Sequence, residues 1–145
     1  MTPSTSPKSP RSGAIALIAL TVAFPSLAKA DMNFNRIASF ATPANMAAGE
    51  DTGRETSAEI VAATADGLTL AYTDSPLGVL GLIDIANPAQ PKPLGNIDIG
   101  GEPTSVAIAG RTALVAVNTS EGYAAPSGVL RSIDIDTKGV EPESV

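Results

Sequence analysis

Gly78-Val79-Leu80-Gly81-Leu82-Ile83-Asp84-Ile85 recurs fifty residues later as Gly128-Val129-Leu130-Arg131-Ser132-Ile133-Asp134-Ile135, with six of the eight positions identical. Agreement of that kind at a fixed displacement marks a repeated structural unit. Each copy is a short apolar run entered through glycine and bounded by turn signals, the composition of a buried strand. Upstream, Val61-Ala62-Ala63 lines up with Val106-Ala107-Ile108, and residues 69–75 (TLAYTDS) resemble residues 113–120 (ALVAVNTS). The spacing between these earlier segments is shorter than 50, so the second copy carries extra residues. They are expected in residues 121–127 (EGYAAPS), a composition suited to an exposed loop.

Four apolar runs of strand length make up the first copy: residues 60–63, 68–73, 78–85 and 94–99. Asp66-Gly67, Ser75-Pro76 and Asn87-Pro88 separate them as turn signals. Pro88, Pro91 and Pro93 forbid a helix between the third and fourth runs. Four short strands within a repeat of 40 to 50 residues are the signature of a β-propeller blade. The predicted fold is therefore all-β: a partial propeller with one complete four-stranded blade over residues 57–101 and an incomplete second over residues 102–145. A displacement of 50 sets Val145 opposite Gly95, so the fourth strand of the second blade is expected to begin where the sequence stops. One blade cannot cover its own faces, so missing blades or another β-rich partner are expected to complete the fold.

Ahead of the repeat lie two further segments. Residues 1–30 carry Lys8 and Arg11, then the apolar run of residues 14–24, then Pro25 and the small-residue site Ala28-Lys29-Ala30. This three-part pattern predicts a signal helix and an export signal cleaved before Asp31, and the run is shorter than a membrane span. No later stretch of the mature chain reaches spanning length, so the location expected is periplasmic or extracellular. Residues 31–56 are read as an N-terminal strand, within residues 33–42 (NFNRIASFAT), followed by a small, polar loop over residues 43–56.

Composition removes several function classes. Hydrophobic residues at 43% against charged residues at 17% allow a buried core, and 13 glycines with 12 prolines divide it among many turns. Lys8, Arg11 and Lys29 fall in the leader, which leaves six basic residues against fifteen acidic ones and a mature net charge of −9. No basic patch exists to neutralise phosphates, so nucleic acid is not an expected partner. Without cysteine or histidine, the chain cannot form a disulfide, a thiolate nucleophile or a histidine-based triad.

Residues 58–76, 83–95, 101–106 and 113–120 resemble the N-terminal portion of secreted bacterial propeller proteins of the esterase-like activity of phytase family. Members also carry alkaline phosphatase names and are similar in style to LVIVD-repeat and choice-of-anchor proteins. The resemblance implies an exported hydrolase of phosphate or other esters, whose catalytic residues lie outside this segment. The alternative is a non-catalytic secreted scaffold or binding module.

Few residues invite a chemical reading of their own. Asp74-Ser75 pairs an acid with a hydroxyl, but no clustered base accompanies it, and Asp74-Ser75-Pro76 reads as a turn. Ser127-Gly128 lacks the strand-elbow-helix setting of a hydrolase nucleophile. Calcium is possible in a full-length protein, because it takes carboxylate oxygens. Asp84, Asp98, Asp134, Asp136 and Glu50-Asp51 are nevertheless scattered without ligand spacing, and Asp84 and Asp134 are expected to accept hydrogen bonds from the turns after their strands. Gly100-Gly101 are turn residues, and Tyr72 and Tyr123, the only tyrosines, do not make an aromatic platform. No catalytic, cofactor or metal residue is assigned.

Overall fold

The computed structural model describes residues 35–141. The expected signal peptide and its helix lie outside these residues. Within them the chain is all-β and folds as two antiparallel sheets. The first holds β1 (Val61–Ala63), β2 (Thr69–Asp74), β3 (Val79–Asp84) and β4 (Lys92–Asp98), in that order. The second holds β5 (Glu102–Ala109), β6 (Thr112–Asn118) and β7 (Gly128–Asp134). Beyond β7 the chain turns back, and Val140 bridges Ile133, so residues 139–141 enter the edge that β4 occupies in the first sheet.

The repeat is visible in the ladder register. Thr69 pairs with Asp84 and Leu70 with Ile83 in the first sheet; Thr112 pairs with Asp134 and Ala113 with Ile133 in the second. Val61 faces Tyr72, and Val106 faces Val115, so the expected equivalence of Val61-Ala62-Ala63 with Val106-Ala107-Ile108 holds strand by strand. The middle strands differ from the expectation by one place. Thr69 corresponds to Thr112, not to Ala113, because hydrogen bonding fixes the register where two loosely similar apolar strings could slide. The extra residues fall in the β6–β7 loop, where residues 121–128 are all exposed. The tight β1–β2 turn is held by Asp66, whose carboxylate accepts from the Leu68 N–H at 2.9 Å, with Gly67 at φ +70°.

Each strand alternates its side chains between two faces. Ala71, Leu80, Leu82 and Ile97 on one face of the first sheet join Ile99 in packing against Val106, Ala113, Val115, Val117, Ile133 and Ile135 on the second. Ala71, Leu80, Leu82, Ala113, Val115 and Ile133 are fully buried here. At about 1.5–3 kcal/mol for each large aliphatic side chain removed from water, this layer is the main favourable contribution to the fold.

The two sheets do not meet through equivalent faces. The counterparts of Ala71, Leu80 and Leu82 are Leu114, Leu130 and Ser132, which lie on the outer side of the second sheet. The counterparts of the second sheet's buried Ala113, Val115 and Ile133 are Leu70, Tyr72 and Ile83, on the outer side of the first. The front of one unit therefore packs on the back of the next, a heterologous arrangement.

Residues 35–45 differ from the expected N-terminal strand. No strand forms there; the chain runs past the back of the first sheet and ends in a 3-10 turn, Thr42–Asn45. Ile37 and Phe40 are three apart, a spacing that does not alternate as a strand does, and Pro43 has no N–H for a ladder. Ile37, Ala38 and Phe40 line a shallow apolar cleft with Leu70, Ile83, Pro88 and Pro91. The segment is a strap over a sheet face.

Candidate functional site

All the connections β2–β3, β4–β5 and β6–β7 emerge at one end of the stack, because the strands alternate in direction. That rim brings together Thr56, Glu59, Asp74, Ser75, Glu102, Asn118 and the long loop. Asp74 is fully buried; its carboxylate accepts from the Thr56 hydroxyl and from the Leu77 N–H at 3.2 Å. The Ser75 hydroxyl lies 2.5 Å from the Glu59 carboxylate and 2.9 Å from the Pro103 carbonyl oxygen. Its one proton is held between two acceptors, and the second belongs to β5, so Ser75 ties the sheets together. The turn expected at Asp74-Ser75-Pro76 is present, and the structure adds to it the cross-sheet contact of Ser75 with Pro103.

The β6–β7 loop is closed at its base and open at its tip. Thr119 N–H donates to the Ser127 carbonyl at 3.1 Å, Ser127 N–H donates to Ser120 Oγ at 2.8 Å, and the Thr119 and Ser127 hydroxyls lie 2.9 Å apart. Asn118 joins this base to the β5 start through a hydrogen bond of 3.1 Å to Glu102. Residues beyond the closure project freely, and Tyr123 is fully exposed above an open depression lined by Asn118, Ser120, Gly122 and Pro126. A tyrosine held away from the core by a hydrogen-bonded stem can serve as a contact group for another surface.

The opposite end carries the ionic contacts. Arg111, in the β5–β6 turn, donates through Nε and Nη2 to Asp136 and lies 3.6 Å from Asp66 of the first sheet. Hydrogen bonds from the Thr64 hydroxyl and the Leu68 N–H hold Asp66 below the usual carboxylate range, aided by Arg111. The Arg111 side chain does the same for Asp136, and the N–H and hydroxyl of Thr137 do so for Asp134. A carboxylate whose folded value is depressed adds stability that is present above its unfolded value and lost as pH falls through the folded one. The melting temperature is therefore expected to fall as pH drops below about 4. In Arg111→Met the melting temperature should be lower at neutral pH and the acid fall shallower, because Asp136 and Asp66 are then less depressed. Two pH–melting curves of identical shape would remove Arg111 from this account.

The remaining acids also have local work. Asp84 accepts from the Ala86 N–H at 2.8 Å, Asp98 from Gly100 at 2.9 Å and Asp134 from Thr137 at 2.7 Å. The expected turn-holding role of Asp84 and Asp134 is what the geometry shows. Glu50 and Asp51 likewise accept from Ala47 and Gly53 within their loop. Among the described residues no three acidic side chains converge as metal ligands would.

Sequence reasoning missed Asn45. Between Leu82 and Ile83 the β3–β4 ladder shifts register, so Leu94 bulges and Gly95 turns to φ +97°. Asn45, buried under the strap, donates to the Leu82 carbonyl at 3.0 Å and accepts from the Gly95 N–H at 3.0 Å. It also donates to the Tyr72 hydroxyl at 3.0 Å, and Lys138 donates to the Leu94 carbonyl. Burial pushes the Tyr72 phenol above its usual range and the Asp74 charge adds to this, while the Asn45 hydrogen bond opposes them. Residues 43–56 read as plain loop because one asparagine carries no periodicity.

The chain matches no protein-family model, no curated protein and no solved structure. Among the described residues no helix is long and apolar enough to cross a membrane.

Proposed function

We propose that the chain is an exported β-propeller segment acting as a non-catalytic scaffold, whose sheets carry the loop of residues 119–127 outward to a protein or cell-surface ligand. The observation that carries this reading is the front-to-back packing of two register-matched sheets, the arrangement by which repeat folds extend. The occupied hydroxyl of Ser75 and the turn-bound carboxylates agree with a structural role for the rim. Export rests on the leader pattern of residues 1–30. The resemblance to the esterase-like phytase family supports a second reading, in which the segment belongs to an exported phosphate- or carboxylate-ester hydrolase whose reacting groups sit on other sheets.

One experiment tests export and the non-catalytic character of this segment. Expressed in a bacterial host, the full chain is expected in the periplasmic fraction with Asp31 at its N-terminus. That fraction should hydrolyse p-nitrophenyl phosphate and p-nitrophenyl acetate no faster than a vector control. Retention in the cytoplasm with residues 1–30 attached would remove export from the proposal. Turnover above control that Ser75→Ala abolishes would replace the scaffold with a hydrolase.

A further inference from the structure

We propose that the outer face of the second sheet is the docking surface for a third sheet of the same repeat type, presenting a face rich in valine and isoleucine. The inference rests on the front-to-back reading above and names the partner it requires. Ser105, Ala107, Leu114, Ala116, Leu130 and Ser132 form this face, paired across strands as Ala107–Leu114–Ser132 and Ser105–Ala116–Leu130. None is charged. Their counterparts on the first sheet include Ala71, Thr73, Leu80 and Leu82, all fully buried by the second sheet. Leu80 and Leu130 are the same repeat position, yet Leu80 is 0% exposed and Leu130 60%. The difference is the presence of a packed sheet on one and not on the other.

What covers Leu80 defines what fits Leu130. The covering face carries Val106, Val115, Val117 and Ile133, with Arg131 paired beside Val115, and it packs on Ala71, Leu80, Leu82 and Ile97 at the spacing of packed sheets, about 10 Å. A second copy of this chain offers no such face. The back of its second sheet is already packed, and the back of its first, with Leu70, Tyr72 and Ile83, lies under the strap that Asn45 anchors. The occupant is therefore a further repeat sheet with an uncovered back.

The chain has no cysteine, so Leu130→Cys gives a single thiol on this face and Tyr123→Cys a single thiol on the loop. Each is compared in the full chain and in a chain extended after Val145 by a second copy of residues 96–141, which supplies a third sheet of the repeat type. Thiol modification of Cys at 130 is expected to slow by about tenfold or more in the extended chain, with no change at 123. An unchanged rate at 130 would overturn the docking surface, whether or not the added residues show strand structure. Slowing at 130 in the unextended chain that grows with concentration would overturn it too, by making a second copy the occupant. Both outcomes are read on purified protein, so a failure of export or a hydrolytic activity is detected separately.

Discussion

Gly81→Ala is expected to be the most damaging single-methyl change in the chain. Gly81 pairs directly with Tyr72, and a Cβ at position 81 would sit 2.1 Å from Tyr72 Cζ. The ring cannot swing away, since Tyr72 is fully buried and its hydroxyl is held by Asn45. Overpacking of this kind, with the Asn45 contact disturbed as well, should cost about 3 kcal/mol and lower Tm by roughly 15 °C. The second sheet shows the compensation that should rescue it. There the same pair is Val115 with Arg131, a smaller partner facing a larger one. Tyr72→Val combined with Gly81→Ala should recover part of the loss, so that the double variant is more stable than the two single losses summed. Urea unfolding of the four proteins tests this; strictly additive losses would mean that ring and glycine do not compete for one space.

Asn45→Ala is expected to have the second-largest effect, and a different signature. It strips one donor bond from the Leu82 carbonyl, one acceptor from the Gly95 N–H and a partner from Tyr72. Leaving buried backbone groups of a bulge unpaired should cost on the order of 2–4 kcal/mol. The strap should loosen with it. Chymotryptic cleavage after Phe40, which is half-buried against the sheet, is expected to accelerate in Asn45→Ala well beyond the change in global unfolding. Tyr72→Phe, which removes only the hydroxyl, should cost about 1 kcal/mol and leave that cleavage nearly unchanged. Equal acceleration in both variants would show that Asn45 does not act through the bulge.

How much of this was legible depended on whether a feature had a period. The repeated octapeptides announced β3 and β7, and the turn pairs Asp66-Gly67 and Ser75-Pro76 separated their neighbours correctly. The roles of Asp84 and Asp134 followed from their place at strand ends. The strand expected within residues 33–42 is not formed over the described residues 35–42, because apolar content alone does not make a strand and the threefold spacing of Ile37 and Phe40 carries no alternation. Asn45 and Arg111 were invisible for another reason. Each acts across the fold, on a bulge or on a turn of the other sheet, and neither partner lies near it in sequence. The rim was readable only as loops, since the contact of Ser75 with Pro103 depends on how two sheets stack.

The loop between β6 and β7 has an evolutionary side. Asp74 and Val79 pair across the short turn, and their counterparts Val117 and Val129 pair across the long one, so the second copy holds eleven residues at this connection where the first holds four. Lengthening such a connection costs about 1 kcal/mol in closure entropy and leaves every rung of the ladder where it was. Insertions and substitutions there are nearly invisible to the folding reaction. Duplicated units can diverge at that edge while the rest of the copy is conserved by packing, and variation useful for recognition can accumulate without first being tested against stability.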